Sequence, residues 1–245
     1  MVSIGDLLYV VGTSWIGDPG RISEYHAWYE EEHVPSLLAM PGTLRGDRFR
    51  KLEGDKNSSP FLATYVYNTA EGWDKFKANP LRRYLKYSGE QKFPEGGFKA
   101  AYHIMYQKQA SFNKEWMNNG AAEGVITLFG VNFSDPAREA EFNTWNNNVY
   151  IPQLLQSPQL MRLDRLISFE GWGDESNTTP KYIIVFEFAG EEAYREFSAS
   201  DIKKQADENL MATWPMGKPG FEIPWNAAFK RMGTWYKEQS RLLNL

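Results

Sequence analysis

The stretch DPGRISEYHAWYEEEHVPSLLAMPGTLRGDRF, residues 18–49, occurs a second time in altered form as DPAREAEFNTWNNNVYIPQLLQSPQLMRLDRL, residues 135–166. The two stretches align without a gap. They share an initial Asp-Pro, a Trp, several Pro and Leu residues, and a final Arg-x-Asp-Arg. Internal repetition of this kind indicates a structural unit that is built more than once. We therefore predict two copies of one unit, because a solenoid usually needs about three or more repeats.

Each copy lies within a longer series of β-rich and helical patterns. The first half predicts strands at 7–15, 43–52, 61–67 and 98–106, with helices at 18–38 and 70–88. The second half predicts strands at 125–133, 160–169, 182–188 and 221–229, with helices that begin at 135 and 191. The order in each half is βαββαβ, the ferredoxin-like pattern. The fold class is therefore α+β, with a first repeat at 1–112, a linker at 113–124 and a second repeat at 125–245.

Composition narrows the classes of function. The 245 residues carry a net charge of −4 and no cluster of Lys and Arg, which argues against a nucleic-acid partner. No apolar run is long enough to span a membrane, so no membrane partner is expected. The chain has no cysteine, which excludes disulfides, thiolate nucleophiles and zinc–thiolate sites. The N-terminus lacks a signal-peptide pattern, so the expected compartment is the cytosol.

The first repeated stretch contains a short motif, W-Y-x-x-E-H-x-P-x-L-L, followed by Pro-Gly and a strand. It comprises Trp28, Tyr29, Glu32, His33, Pro35, Leu37 and Leu38. This motif resembles the dimeric α/β-barrel superfamily, and its His-x-Pro is similar to that of EthD-like proteins. The resemblance implies a barrel with helices outside, which two halves of one chain would build here instead of two chains. It also implies a ligand site between the helices and the sheet of one unit. Members include cofactor-free oxygenases, cyclases, lyases, isomerases and haem-using enzymes.

The predicted first helix carries polar side chains on the face that should pack on the sheet. On a helical wheel, one stripe contains Ile22, Tyr25, His26, Tyr29 and His33. The second copy has Asn143, Asn146 and Tyr150 at the equivalent polar places. A buried polar group without a partner costs about 1–3 kcal/mol. A polar stripe in both halves therefore indicates a cavity or a buried hydrogen-bond network.

All three histidines, His26, His33 and His103, lie in the first half, so we expect any chemistry there. An imidazole exchanges a proton near pH 7 more readily than Tyr or Asn does. The candidate catalytic residues are His33, Tyr29, His26 and His103. Two alternatives remain open. His33 could brace the bend at Pro35, and His103 could face the barrel interior or an edge instead of meeting His33 across a pocket.

Aromatic residues are numerous enough to line an apolar pocket. The candidate substrate-binding residues are Tyr9, Trp15, Tyr25, Tyr65, Tyr67, Tyr102 and Trp225. His26, Glu30 and His33 have a spacing that could hold a metal, although Glu30 falls at the edge of the stripe, so we predict no metal. The Arg-x-Asp-Arg runs occur in both halves, which favours a role in maintaining the fold.

The leading hypothesis is a cofactor-independent enzyme of secondary metabolism, with a hydrophobic small molecule as substrate. His33 would act as a general acid/base or donate a hydrogen bond, in a cyclisation, isomerisation or lyase step that could be pericyclic. One alternative is an oxygen- or haem-dependent monooxygenase of the same superfamily. Another is a non-catalytic binding protein. The expected assembly is a monomer with an intrachain pseudo-dimer, or a homodimer.

Overall fold

Asp18 and Pro19 begin the first helical region as predicted, since Asp18 Oδ1 accepts a hydrogen bond of 2.8 Å from the backbone N–H of Gly20. The computed structural model describes residues 7–94, 97–113, 124–173, 179–214 and 221–237. The first half contains β1 (Leu7–Trp15), a 3-10 turn (Pro19–Arg21), α1 (Ile22–Trp28), a π-helical turn (Tyr29–His33), α2 (Val34–Ala39), β2 (Thr43–Gly54), β3 (Phe61–Tyr67), α3 (Ala70–Ala78), α4 (Pro80–Lys92) and β4 (Phe98–Asn113).

The second half presents nearly the same series of elements in the same order. It contains β5 (Val125–Phe133), α5 (Pro136–Trp145), a π-helical turn (Asn146–Tyr150), α6 (Ile151–Leu154), β6 (Leu160–Gly173), β7 (Tyr182–Phe188), α7 (Glu191–Ala199), α8 (Asp201–Thr213) and β8 (Phe221–Tyr236). No helix in the described part of the chain combines the length and the apolar character needed to cross a lipid bilayer.

A π-helical turn precedes a proline in each half. Pro35 has no N–H to give to the carbonyl four residues earlier, and its ring clashes with that carbonyl in a regular α-helix. The chain responds with a wider turn, in which the N–H of Val34 bonds to the carbonyl of Tyr29. The turn before Pro152 has the same construction. The bend predicted at Pro35 is therefore a wide turn inside one continuous helical region, and His33 is its last residue.

The single helix predicted at 70–88 is two helices. Asn79 precedes a proline, which disfavours helical geometry, and it adopts an extended conformation with ψ 123°. Its side chain accepts a hydrogen bond from the N–H of Leu81 and so caps the start of α4. The break turns α4 relative to α3.

The eight strands form one closed antiparallel barrel in the order β1-β3-β2-β8-β5-β7-β6-β4. Strands from the two halves pair at two places, β2 with β8 and β4 with β6. These pairings explain why β4, β6 and β8 run well beyond their predicted ends. The linker predicted at 113–124 begins as the end of β4, and its residues 114–123 lie outside the described residues.

Alternate side chains on each strand serve different cores, as the pleat requires. On β1, Val10 faces a cluster inside the barrel, while Tyr9 and Val11 face the helices of the first half. A separate cluster lies between the sheet and the helices of the second half. The helices cover the outside of the barrel, and the fold is a mixed α+β structure.

The Arg-x-Asp-Arg run of β2 belongs to a buried ionic network between the halves. Arg45 Nε lies 2.7 Å from Asp47 Oδ2, and Asp47 Oδ1 accepts a 2.6 Å hydrogen bond from Thr234 on β8. Arg231, also on β8, lies 3.4 Å from Asp47 and 2.8 Å from Glu187. Each acid is therefore paired, which is the condition for a buried charge to persist. These contacts support the structural interpretation of the run.

Candidate active site

A cavity of about 950 Å³ lies between the sheet and the helices of the first half. Its walls come from β1, β3 and β4 on the sheet side, and from the π-helical turn, α2, α3 and α4 on the helix side. Five of the predicted site residues line it, namely Tyr9, Tyr29, His33, Tyr65 and His103. A cavity of this size accommodates a small organic molecule.

Tyr9 and His103 form a hydrogen-bonded pair at the sheet wall of the cavity. The Tyr9 hydroxyl lies 2.6 Å from His103 Nδ1. The two residues are diagonal neighbours on the paired strands β1 and β4. Burial raises the pKa of Tyr9 to about 12, while the nearby Arg82 opposes the rise. Tyr9 is therefore a neutral phenol that keeps its proton at physiological pH.

His33 ends the π-helical turn and is packed between two aromatic rings. Its ring centroid lies 4.8 Å from Trp28 and 4.8 Å from Tyr29. Its Nδ1 is buried, and no hydrogen-bond partner for it occurs among the described residues. Burial, followed by the charges of Arg48 and His103, lowers the pKa of His33 to about 3. The imidazole is therefore neutral at physiological pH, which suits a hydrogen-bonding group better than a base.

Tyr65 presents a second buried polar atom at this cavity. Its side chain is 1% exposed, and its hydroxyl makes no hydrogen bond of regular geometry within the described part of the chain, although the phenol of Tyr29 lies close enough to interact with it. Burial, and after it the neighbouring Tyr29, raises the pKa of Tyr65 far above the ordinary value. A neutral phenol without a partner at a cavity wall costs free energy unless a ligand or water satisfies it.

The structure places His26, a predicted catalytic residue, outside the cavity lining. Its Nδ1 is 3.4 Å from the guanidinium of Arg48, which also pairs with Glu30 at 3.2 Å. That guanidinium lies 4.0 Å from the ring centroid of Tyr29. In the second half Arg165 bonds to Asn143, the counterpart of His26. The contact is thus common to both halves, which favours a structural role for His26.

Several predicted substrate-binding aromatics also lie outside the lining. Trp15 Nε1 donates to the carbonyl of Asp18 at 2.8 Å, and the Tyr25 hydroxyl is 2.9 Å from Thr13 Oγ1. Tyr67 is buried and packs edge-on against Trp73, with ring centroids 5.3 Å apart. These side chains therefore lie outside the cavity and pack within the first half.

Tyr102 and Trp225 lie on the opposite side of the sheet, inside the barrel. Their ring centroids are 4.4 Å apart, and both belong to the interior cluster. A bulge at Ala101 shifts the alternation along β4, so Ala100 and His103 line the cavity while Ala101 and Tyr102 pack in the barrel. Neither of these two predicted substrate-binding rings lines the cavity of the first half.

The sequence analysis missed two arginines at the cavity, Arg82 and Arg83. They occupy the first turn of α4, where the helix dipole favours acidic residues, and α4 has none there. Two cations at the positive end of a helix go against the preference for acidic residues there. Such an exception often marks a functional site, and the sequence alone contains this signal. The signal depends on recognising the helix break at Asn79-Pro80.

At the equivalent position of the second half, aromatic side chains lie close together. Phe129 takes the place of Val11 and lies 6.4 Å from Tyr150, the counterpart of His33, between ring centroids. Tyr150 stacks on Trp145 at 5.5 Å. The halves therefore differ in the side chains that they place at this position.

Among the described residues no three His, Asp or Glu side chains converge on a possible metal position. The haem group that the resemblance includes would need an imidazole whose second nitrogen donates to a carboxylate, a carbonyl or water. His33 Nδ1 has no such partner in the described structure, and the partner of His103 Nδ1 is the neutral phenol of Tyr9. His33 therefore does not fit as the ligand of a haem iron.

Neither a protein-family model nor a curated protein sequence matches the chain. Solved structures do match it. An anthrone oxidase-like protein superposes with a TM-score of 0.63 at 13% identity, over 95% of this chain and 94% of that one. At this identity the likeness concerns the fold alone. A protein assigned as a monooxygenase from Lactobacillus acidophilus gives a TM-score of 0.55 at 12% identity, over 95% and 97% of the two chains. A variant chlorite dismutase from Candidatus Nitrospira defluvii gives a TM-score of 0.53 at 11% identity, over 98% of this chain and 95% of that one.

Proposed function

We propose that the protein is an enzyme that removes a proton from an apolar, ring-containing small molecule in the cavity of the first half, without a cofactor. The reaction class is an isomerisation, cyclisation or lyase step that starts from the resulting carbanion or enolate. The observation that carries this proposal is the Tyr9–His103 pair, which lies in the same cavity as two buried polar groups without partners.

The Tyr9–His103 pair provides a route for the proton. We assign the hydrogen of the 2.6 Å bond to Tyr9, because its raised pKa keeps the phenol protonated. As the substrate C–H bond breaks, its proton passes to Tyr9 Oη while the phenolic proton passes to His103 Nδ1. The substrate keeps the electron pair, and His103 becomes an imidazolium. Return of a proton to a different carbon completes an isomerisation, and attack of the carbanion on a second carbonyl completes a cyclisation.

His33 and Tyr65 stabilise the negative charge that develops on the substrate oxygen. Both are neutral, and both have a buried polar atom without a partner at the cavity wall. Donors already held in a water-poor site gain most when charge appears in front of them. This assignment keeps the hydrogen-bonding role predicted for His33 and transfers the base role to His103. Tyr29 orients His33 through their ring contact.

The architecture is proposed as a tandem duplication, with repeats at 1–112 and 125–245 joined at 113–124. The order of the elements, the two π-helical turns before a proline and the repeated stretches support it. The barrel closes within one chain, so the site is complete without a second copy. We propose a monomer with an internal pseudo-dimer.

Hydrogen–deuterium exchange tests proton removal directly. Anthrone, a tricyclic ketone with an acidic methylene group, is incubated with the protein in D2O under argon, and loss of the methylene proton signal is followed by NMR. We expect exchange faster than in imidazole buffer. Tyr9→Phe and His103→Asn should each slow it by about 10²–10⁴. Exchange no faster than in buffer, or unaffected by these changes, contradicts the proposal.

A matched control comes from the second half. Thr127 is the β5 counterpart of Tyr9, and Asn226 is the β8 counterpart of His103. Thr127→Val and Asn226→Ala should leave the exchange rate unchanged. A similar loss in these variants would indicate a general effect on folding in place of a chemical role for the Tyr9–His103 pair.

A second candidate function is oxygenation, which the likeness to the anthrone oxidase-like protein favours. It begins with the same proton transfer. The carbanion then gives its electrons to O2, and the hydroperoxide that forms loses water to leave a carbonyl. An oxygen electrode separates the two functions. If the protein takes up oxygen with anthrone in air, and Tyr9→Phe abolishes this uptake, oxygenation is supported. If the protein exchanges the methylene proton under argon and takes up no oxygen in air, the leading proposal is supported.

A further inference from the structure

The charged groups that line the cavity are unequally distributed in sign. Lys77, Arg82, Arg83 and Lys99 contribute cations, and Glu90 contributes the one carboxylate among the described lining residues. The whole chain has the opposite balance, with 27 Lys and Arg against 31 Asp and Glu. A local excess of cations in an acidic protein raises the local concentration of anions at that point.

Two of these cations make no ion pair with any residue that the structure describes. Lys77 pairs with Glu170 at 2.8 Å and with Asp74 at 3.1 Å. By contrast, no ion pair of Arg82 or Arg83 occurs within the described ranges. Both side chains are exposed and lie on the first turn of α4. The positive end of the α4 dipole adds to their charge.

Arg82 also connects the cavity mouth with its interior. Its guanidinium carbon lies 5.6 Å from the ring centroid of Phe76, which is a buried part of the cavity wall. Its charge reaches Tyr9, where it opposes the effect of burial on the phenol. Deeper in the same cavity, the buried hydroxyl of Tyr65 has no partner in the described structure. That unsatisfied polar atom indicates that the cavity takes a ligand with an oxygen or nitrogen at depth.

We propose that the natural ligand is an amphipathic anion, an apolar ring system that bears a carboxylate. The ring system packs against the aromatic wall, and the carboxylate lies at the mouth between Arg82 and Arg83. A guanidinium matches a carboxylate with two parallel hydrogen bonds, which a lysine cannot do. The inference rests on the proposed use of this cavity as the substrate site, and it specifies the substrate class.

A pair of ligands that differ only in charge tests the proposal. Naphthalene-2-carboxylate and naphthalene-2-carboxamide have the same ring system, and isothermal titration calorimetry measures the affinity of each at pH 7.5. We expect the carboxylate to bind at least about tenfold more tightly, because charge-assisted hydrogen bonds are roughly twice as strong as neutral ones. Equal affinity, or no binding of either ligand, overturns the proposal.

Variants locate the preference on α4. The double change Arg82→Gln and Arg83→Gln should remove the preference for the carboxylate and leave carboxamide binding unchanged. The equivalent positions on α8 are Lys203 and Lys204. Replacing both with Gln removes the same charge from the second half and should change neither affinity. If the α8 variant loses as much affinity for the carboxylate as the α4 variant does, the net charge of the protein explains the preference and a site on α4 does not.

These measurements read binding alone. A retained preference for the carboxylate together with absent proton exchange contradicts the proposed chemistry and keeps the ligand class. If the protein exchanges the proton but binds both ligands equally, the proposed chemistry is kept and the proposed ligand class is contradicted.

Discussion

Replacing His33 with Phe should make the stability of the protein less sensitive to acid. Burial lowers the pKa of this imidazole to about 3, against an ordinary value of about 6.5. Between these values the unfolded chain binds a proton that the folded chain does not. Stability therefore rises with pH in this window, and it falls as the pH drops below about 6.5. Phe keeps an aromatic ring between Trp28 and Tyr29 but has no titrating group.

The size of the effect follows from the two pKa values. At pH 5 the unfolded imidazole is about 1.5 units below its pKa, and each unit corresponds to about 1.36 kcal/mol. The folded imidazole is still neutral, because its pKa of about 3 has not been reached. Lowering the pH from 7.5 to 5 should thus cost the wild type about 2 kcal/mol more than His33→Phe.

Guanidinium chloride unfolding at pH 7.5, 6.5 and 5.0 gives the free energy of unfolding of each protein. His26, whose pKa is lowered to about 4 by burial and Arg48, is present in both proteins, so its contribution cancels in the difference. Tyr150→Phe, at the equivalent position of the second half, should follow the wild-type curve. If the wild type and His33→Phe lose stability in parallel, His33 titrates as a solvated imidazole, and its role as a neutral donor fails.

Three further changes test the packing around the cavity. Val11→Phe introduces the residue type found at Phe129 and should weaken binding of naphthalene-2-carboxylate at least about tenfold in calorimetry, without loss of stability, because it fills existing space. Arg48→Met removes a buried guanidinium from its aromatic and ionic contacts and should lower the free energy of unfolding by about 1–3 kcal/mol in denaturant titrations. Gly42→Ala should cost more than about 1 kcal/mol, since Gly42 has φ 86° and an added Cβ would lie 2.5 Å from Gly72 Cα.

The local sequence was sufficient for most helices and strands and insufficient for the strand ends. Leu7–Trp15, Phe61–Tyr67 and Tyr182–Phe188 have the predicted bounds, because each is a short apolar run between turn residues. The ends of β4 and β8 could not be predicted in this way. Their last residues pair with strands of the other half, and a pairing between distant segments leaves no local pattern.

The residues of the candidate site that lie on one helix could be predicted from the sequence. His33 and Tyr29 follow from the helical wheel, since a polar residue on a core-facing stripe is visible in sequence. The contact between Tyr9 and His103 depends on the register of two strands that are 94 residues apart, which the sequence does not specify. The position of Tyr102 and Trp225 inside the barrel could not be predicted for a related reason, because a bulge or the choice of sheet face reverses which side chains point inward.

The two halves differ in the side chains at the position of the first-half cavity. Buried polar atoms without partners, such as those of His33 and Tyr65, cost about 1–3 kcal/mol each, a large share of the 5–15 kcal/mol that typically separates folded from unfolded protein. At the corresponding position of the second half, Phe129 and Tyr150 belong to one buried aromatic and aliphatic cluster. Because both halves belong to one closed barrel, stabilisation in the second half supports the strands that carry Tyr9 and His103. A cavity in one half is therefore compatible with a stable barrel.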